Sequence, residues 1–317
     1  MSIWIGLDIS KDTIDVGFFL EEKLVHFKIK NNISGFRKLQ KKVPSDSKFI
    51  MEATGIYFLK CARFLAESDS FVSVENPLKI KRFADMGLRR SKTDKKDAIL
   101  IAKYGAQIMP KKWRQPSSEQ LKSQEIQSVI HNYSNTIQRM KNEYHAFSNS
   151  GNDNKPILES LLKMITEIKK AKALLEIELH KLIQLAFPKE LELIVSIPGI
   201  GINTACLIIG RIGDCSSFER SGQLTSYFGI TPVECYSGTS LNKKGVISRM
   251  GSPRIRAKLY MCGVASLKSN PKVAAMRARM IDNGKHNKKI VVAAMNKLVR
   301  QIFGVLKSGT PFDPNYL

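Results

Sequence analysis

Apolar-rich runs of strand length, residues 3–9, 13–20 and 23–30, open the chain and are joined by tight polar turns. Three such runs in succession predict an antiparallel meander. Beyond them the period switches back and forth. "ISGFRKLQKKV" has helical spacing, "KFIMEAT" reads as an apolar strand, "YFLKCARFLAES" is helical, "FVSVENP" is a strand, and residues 94–107 are helical again. That order predicts a mixed α/β sheet with helices packed on it.

From about residue 118 the spacing becomes heptad-like. Ile126, Ile130, Tyr133, Ile137, Met140, Tyr144 and Phe147 form one seam; Leu158, Leu161, Ile165, Ile168, Lys172, Leu175, Leu179 and Leu182 form another, with Lys172 its one polar member. The turn formers "NSGNDNKP" between them predict an antiparallel coiled-coil hairpin, serving as a spacer or as an oligomerisation arm. The remainder predicts a mainly α C-terminal part. Within it, "SIPGIGINTACLIIGRIGD" places Gly199 and Gly201 in a bend before an apolar helix, so backbone amides there can face a phosphate, as in a helix-hairpin-helix grip on DNA. A plain helix-helix corner uses the same residues.

Charge sharpens this outline. The 317 residues carry 51 Lys and Arg against 28 Asp and Glu, a net +23 that points to a polyanionic partner. Two segments hold the excess: residues 77–122, with Arg89, Arg90 and Lys92, have thirteen cations against four acids, and residues 237–317 have sixteen against Asp282 and Asp313 alone. Lys243, Lys244, Arg249, Arg254 and Arg256 open the second segment as candidate phosphate contacts. No apolar run reaches the roughly 18 residues that would cross a bilayer, and the N-terminus lacks a signal-peptide pattern. A cytoplasmic location without membrane association is expected, at the nucleoid when active. The five cysteines, Cys61, Cys206, Cys215, Cys235 and Cys262, are scattered without zinc-type spacing and read as reduced thiols.

The candidate chemistry lies in carboxylates at element ends. Asp8 ends the first strand, Glu52 ends "KFIMEAT", and Asp94 and Asp97 share one face at the start of a helix. Singly each is ordinary: an Asp at a corner, an Asp capping a helix. If the first and fourth strands are neighbours, all four converge, and such a cluster suits hard divalent cations, Mg²⁺ or Mn²⁺, of the kind that assist phosphodiester displacement.

On these residues the chain resembles a known family. "GLDISKDTID", "EATGIY" and "KTDKKDAILIA" are similar to the RuvC-like acidic motifs of insertion-sequence-110 transposases, which include the Piv-type DNA invertases. "IPGIGINTACLIIGRIGDCSSFERSGQLTSYFGITP" and "SGTSLNKKGVISRMGSPRIRAKL" resemble that family's C-terminal domain. The resemblance implies an RNase H-like catalytic domain over residues 1–115, a coiled-coil linker over 116–187 and a C-terminal transposase domain over 188–317. It further implies Mg²⁺ held by Asp8, Glu52, Asp94 and Asp97, and a serine joined to DNA through phosphate, matched here by Ser237 with Ser240 as the alternative hydroxyl. The implied partners are donor and target DNA, a guide (bridge) RNA and further copies of the chain. Rival expectations are a metal-dependent nuclease without a covalent intermediate, a non-enzymatic nucleic-acid scaffold, and a sugar-kinase or actin-like ATPase. The last requires a second glycine-rich phosphate loop, and only the bend at 198–201 offers one.

Overall fold

A computed structural model of the full chain describes residues 3–86, 94–152, 154–233, 236–237, 241–242 and 246–315. It divides into two compact units, Met1–Gln115 and Pro116–Leu317.

The first unit is built on a five-stranded sheet of β1 (Trp4–Ile9), β2 (Thr13–Leu20), β3 (Lys23–Lys30), β4 (Lys48–Glu52) and β5 (Phe71–Glu75), in the order β3-β2-β1-β4-β5. The meander β1-β2-β3 is antiparallel, while β4 runs parallel to β1 and β5 parallel to β4. Alternation gives each face its own job. Ile5, Leu7, Ile14, Val16, Phe18, Phe49, Met51 and Val72 point to one side and bury a core with Phe36 and Leu39 of α1 (Ile33–Lys42) and Cys61, Ala62 and Leu65 of α2 (Phe58–Glu67). Trp4 and Ile50 point to the other side, where Ile80 of α3 (Pro77–Met86) and Leu100, Ile101 and Tyr104 of α4 (Asp94–Ile108) cover them. Hydropathy spacing does not announce α3, because it buries only Ile80. Its start is written instead in Asn76-Pro77: the Asn76 side chain accepts the Leu78 amide at 2.9 Å, and proline occupies the first helical position.

The second unit begins with α5 (Ser118–Ser148), opened by a capping box between Ser117 and Gln120, and α6 (Lys155–Ala186). Ile130, Ile137, Ile165 and Leu179 of the two seams are buried between the paired helices. Lys172, the polar member, is half-buried and lies 3.6 Å from Glu176. Then follow α7 (Pro188–Val195), α8 (Ile202–Ile212), α9 (Ser221–Tyr227), four two-residue strands, α10 (Pro253–Ser269), α11 (Pro271–Asp282) and α12 (Asn287–Ser308). The strands β6 (Pro232–Val233) and β9 (Val246–Ile247) pair with each other, as do β7 (Tyr236–Ser237) and β8 (Leu241–Asn242). The root of the helical hairpin is bonded to α8: Gln127 Nε2 donates to the Cys206 carbonyl at 2.8 Å and Gln124 Nε2 to that of Gly210 at 2.7 Å. The hairpin is therefore part of the C-terminal unit.

Among the described residues no helix is long and apolar enough to cross a membrane. Cys61, Cys206, Cys215 and Cys262 are buried free thiols, and burial pushes the Cys61 thiol up to about 12. Cys235 lies outside the described residues.

Candidate active site

One row of side chains crosses the first unit's sheet on the α3/α4 face. Asp8 of β1 stands opposite Asp15 of β2, and Asp15 opposite Lys28 of β3. On the other side Leu7 pairs with Met51, so the next position along β4 is Glu52, and Glu52 pairs with Glu75 of β5. Four adjacent strands each contribute a carboxylate. For the parallel strands β1, β4 and β5 these lie at or next to the carboxyl end, the end where open α/β sheets bind ligands.

Helix α4 brings two more. Two residues down the same face from Asp8 and Asp15 lie Gly6 and Gly17, themselves ladder partners. A Cβ on Gly6 would run into the Ala98 carbonyl oxygen and the Ala102 amide, and one on Gly17 would meet the Ile99 amide at 2.9 Å. The missing side chains let α4 lie directly on β1 and β2, which sets its first turn, with Asp94 and Asp97, at the row.

The electrostatics report the convergence. The Asp8 carboxyl is pushed up to about 6, first by burial and then by the negative charges of Asp97, Asp94, Asp15 and Glu52. Glu52 Oε1 accepts a hydrogen bond from Thr54 Oγ1 at 2.8 Å. At the edges of the row the acids are already paired: Asp15 with His26 at 2.8 Å and Lys28 at 3.0 Å, Glu75 with Lys79 at 2.8 Å. Lys28 also lies 4.0 Å from Asp94. Asp8, Glu52, Asp94 and Asp97 form the inner set, all hard oxygen donors. Burial and like charge raise the Asp8 carboxyl, and a divalent cation would offset the like charge, so the donor set suits such an ion chemically. Among the described residues no three His, Cys, Asp or Glu side chains already stand close enough to hold one.

Asp15, His26, Lys28, Glu75 and Lys79 escaped the sequence reading. Asp15 and Glu75 did carry a signal, since each interrupts an apolar strand on the parity of Gly17 and Ser73. Only the register shows that both fall in the row.

In the second unit the bend between α7 and α8 is real. Gly199 has φ 99°, and a Cβ there would lie 2.8 Å from that of Ser266 on α10, while Asn270 Nδ2 donates to the Pro198 carbonyl at 3.3 Å. The close approach of α10 explains why glycine stands at position 199. Gly201 is exposed, caps α8 and has open space beside it. Of the basic candidates, Arg249 is exposed just before α10, and Arg256 bonds the Gly251 carbonyl through Nη1. Arg254 is half-buried, its guanidinium acidity raised by burial and by neighbouring Arg211. Ser237 sits in β7 opposite Leu241, described in its backbone alone. Arg89, Arg90, Lys92, Ser240, Lys243 and Lys244 lie outside the described residues.

A mixed sheet bearing an acidic row at its strand ends, followed by a basic helical unit, is the layout of an enzyme that works on phosphodiesters. Comparison with known proteins narrows the class. Residues 5–149 match the DEDD-type domain of IS110 elements, described as "Transposase", and residues 191–278 match the "Transposase IS116/IS110/IS902 family". The chain is 31% identical over 323 residues to the pilin gene-inverting protein of Moraxella bovis, an alignment covering 98% of this chain and 97% of that one. It is 24% identical over 157 residues to the insertion element IS110 43.6 kDa protein of Streptomyces coelicolor, covering 50% and 38% of the two chains. To the transposase for insertion sequence element IS1328 of Yersinia enterocolitica it is 27% identical over 141 residues, covering 44% and 42%. The chain belongs to the IS110 family of transposases and is an enzyme that acts on DNA.

Proposed function

We propose that this transposase cuts and rejoins DNA strands with two sets of residues: the carboxylates Asp8, Glu52, Asp94 and Asp97 in an RNase H-like domain over residues 1–115, and the hydroxyl of Ser237 in a transposase domain over 188–317. The strand order β3-β2-β1-β4-β5, antiparallel then parallel, supports the RNase H-like reading. The observation that carries the catalytic reading is the register that sets Asp8 and Glu52 side by side at the strand ends, with the first turn of α4 seated beside them through Gly6 and Gly17.

Asp8, Glu52, Asp94 and Asp97 would hold Mg²⁺ or Mn²⁺. Such an ion supplies Lewis-acid stabilisation of charge at the scissile phosphate. The chain's own residues do the rest. Arg249, Arg254 and Arg256, with Lys243 and Lys244, hold backbone phosphates and offset the negative charge on the phosphoryl oxygens in the transition state. Ser237 Oγ gives its proton to a base and forms a bond to phosphorus as the phosphorus–oxygen bond to deoxyribose breaks, and the departing deoxyribose oxygen takes up a proton to become a free hydroxyl. The reverse exchange seals a new strand without ATP. The full-length relative is named for inverting a gene, and inversion needs rejoining as well as cutting, which supports a recombinase over a simple nuclease.

A guide (bridge) RNA pairing with donor and target DNA, and assembly of several copies through the hairpin of residues 116–187, complete the reading and rest on the family; the basic excess of residues 237–317 supports only a polyanionic partner in general. The test is to purify the protein, sequence any RNA that accompanies it, and incubate the complex with Mg²⁺ and matching DNA. A covalent protein–DNA band on a denaturing gel, followed by recombined product, is expected. Free cut ends with no covalent band would replace the serine mechanism by direct hydrolysis.

A further inference from the structure

Asp15 is the most deeply buried acid of the row, only 5% exposed, and it faces Asp8 directly across the ladder. Side chains opposed in this way lie about 5 Å apart, so two ionised carboxylates would repel. Both Asp15 oxygens are covered instead: His26 Nε2 lies 2.8 Å from Oδ1 and Lys28 Nζ lies 3.0 Å from Oδ2. Lys28 does not stop there, because the same ammonium is 4.0 Å from Asp94 Oδ2 on the first turn of α4. One cation therefore joins a buried carboxylate of the sheet to an exposed one of the helix. With its oxygens occupied, Asp15 is better placed to fix Lys28 than to bind an ion itself.

We propose that Lys28, anchored by Asp15, is a tethered counter-ion of the acidic site: it offsets the site's negative charge in the absence of a divalent cation and competes with that cation for it. The proposal rests on the reading of Asp8, Glu52, Asp94 and Asp97 as the cation site. Charges a few ångströms apart change a neighbour's proton affinity tenfold or more, and a divalent ion feels a nearby ammonium twice as strongly as a proton does. An ordinary structural ion pair would act the other way, since losing it would loosen Asp94 and weaken the site.

The test is calorimetric titration of the full-length protein with Mn²⁺ at low salt, alongside thermal melts in EDTA and in Mn²⁺. Lys28→Met should bind Mn²⁺ about tenfold more tightly than wild type, melt lower in EDTA, and recover much of that loss in Mn²⁺. Lys28→Gln keeps a hydrogen bond to Asp15 without the charge, carries the same expectation, and serves if Lys28→Met does not fold. Lys28→Arg should restore wild-type affinity. Unchanged or weaker Mn²⁺ binding in a folded, neutral variant overturns the role of Lys28 alone. Absence of Mn²⁺ binding in wild type overturns the cation site, and the proposal with it.

Discussion

Gly6 and Gly17 face each other across the β1–β2 ladder, and each gives up its side chain where α4 crosses the sheet. The pair explains how acids far apart in sequence come together: without that close approach the first turn of α4 would stand off from Asp8. Gly6→Ala should destabilise the protein by about 3 kcal/mol, the upper end for overpacking, because the new methyl meets helix backbone that cannot swing aside. Gly17→Ala should cost less, since part of its contact is the Ile99 side chain. Chemical denaturation measures both, and a neutral Gly6→Ala would show that α4 has room to retreat.

The raised Asp8 carboxyl sets a pH dependence. Its folded value of about 6 exceeds the ordinary 3.8, so between those values the folded chain binds the extra proton. Stability from this group is full below about pH 4, falls as pH rises, and is lost above about 6. In EDTA, Asp8→Asn should therefore melt higher than wild type at pH 7.5 and equal to it near pH 4; the gain is moderated by the partial exposure of Asp8. Adding Mg²⁺ should stabilise wild type at pH 7.5 and leave the variant nearly unmoved. Melting curves that coincide at both pH values would remove Asp8 from the centre of the cluster.

Much of this was legible beforehand. Apolar runs of strand length gave the meander and the alternating α/β elements, and the heptad seams gave the hairpin, because burial on one face imposes a period on the sequence. Asp8, Glu52 and the Asp94/Asp97 pair could be picked out as acids at element ends. What spacing could not show was register. Asp15 and Glu75 fall in the acidic row only because β2 and β5 pair at particular positions, and Lys28 and Lys79 are paired with them for the same reason. Gly199 illustrates another limit: its motif marked the bend, but that the position needs glycine for its close approach to Ser266 shows only in three dimensions.

Each inner carboxylate should be needed for chemistry and dispensable for DNA binding. Asp8→Asn, Glu52→Gln, Asp94→Asn and Asp97→Asn each remove one oxygen-borne charge from the set, which should lower strand cleavage about 100-fold or more, the scale of losing one preorganised electrostatic contact. Binding to labelled DNA in EDTA should be retained. A variant that recombines at near wild-type rate in Mg²⁺ would be struck from the set.

DNA binding itself should depend steeply on salt. Each phosphate contact on duplex DNA contributes a slope of roughly 0.9 in log affinity against log salt concentration. Arg254→Glu and Arg256→Glu, at the start of α10, should weaken binding and flatten that slope, whereas Lys163→Glu and Lys170→Glu on the hairpin should do much less. Equal losses from the two pairs would mean that overall charge, rather than a surface near α10, governs binding.

The proposed covalent step would distinguish a recombinase from a nuclease, and one hydroxyl would carry it. A serine ester with DNA conserves the energy of the broken phosphodiester, so the cut end stays attached to protein and can be rejoined without ATP. Hydrolysis would release it. Ser237→Ala should leave melting temperature, Mn²⁺ binding and DNA affinity near wild type while abolishing both the protein–DNA adduct and recombination. Ser240→Ala should retain some of each. Denaturing gels of cleavage reactions, with peptide mapping of the shifted band, read the difference. An adduct that persists in Ser237→Ala and disappears in Ser240→Ala moves the nucleophile three residues along the chain. No adduct in wild type, under conditions where strands are cut, leaves the acidic row of the sheet as the sole site of chemistry.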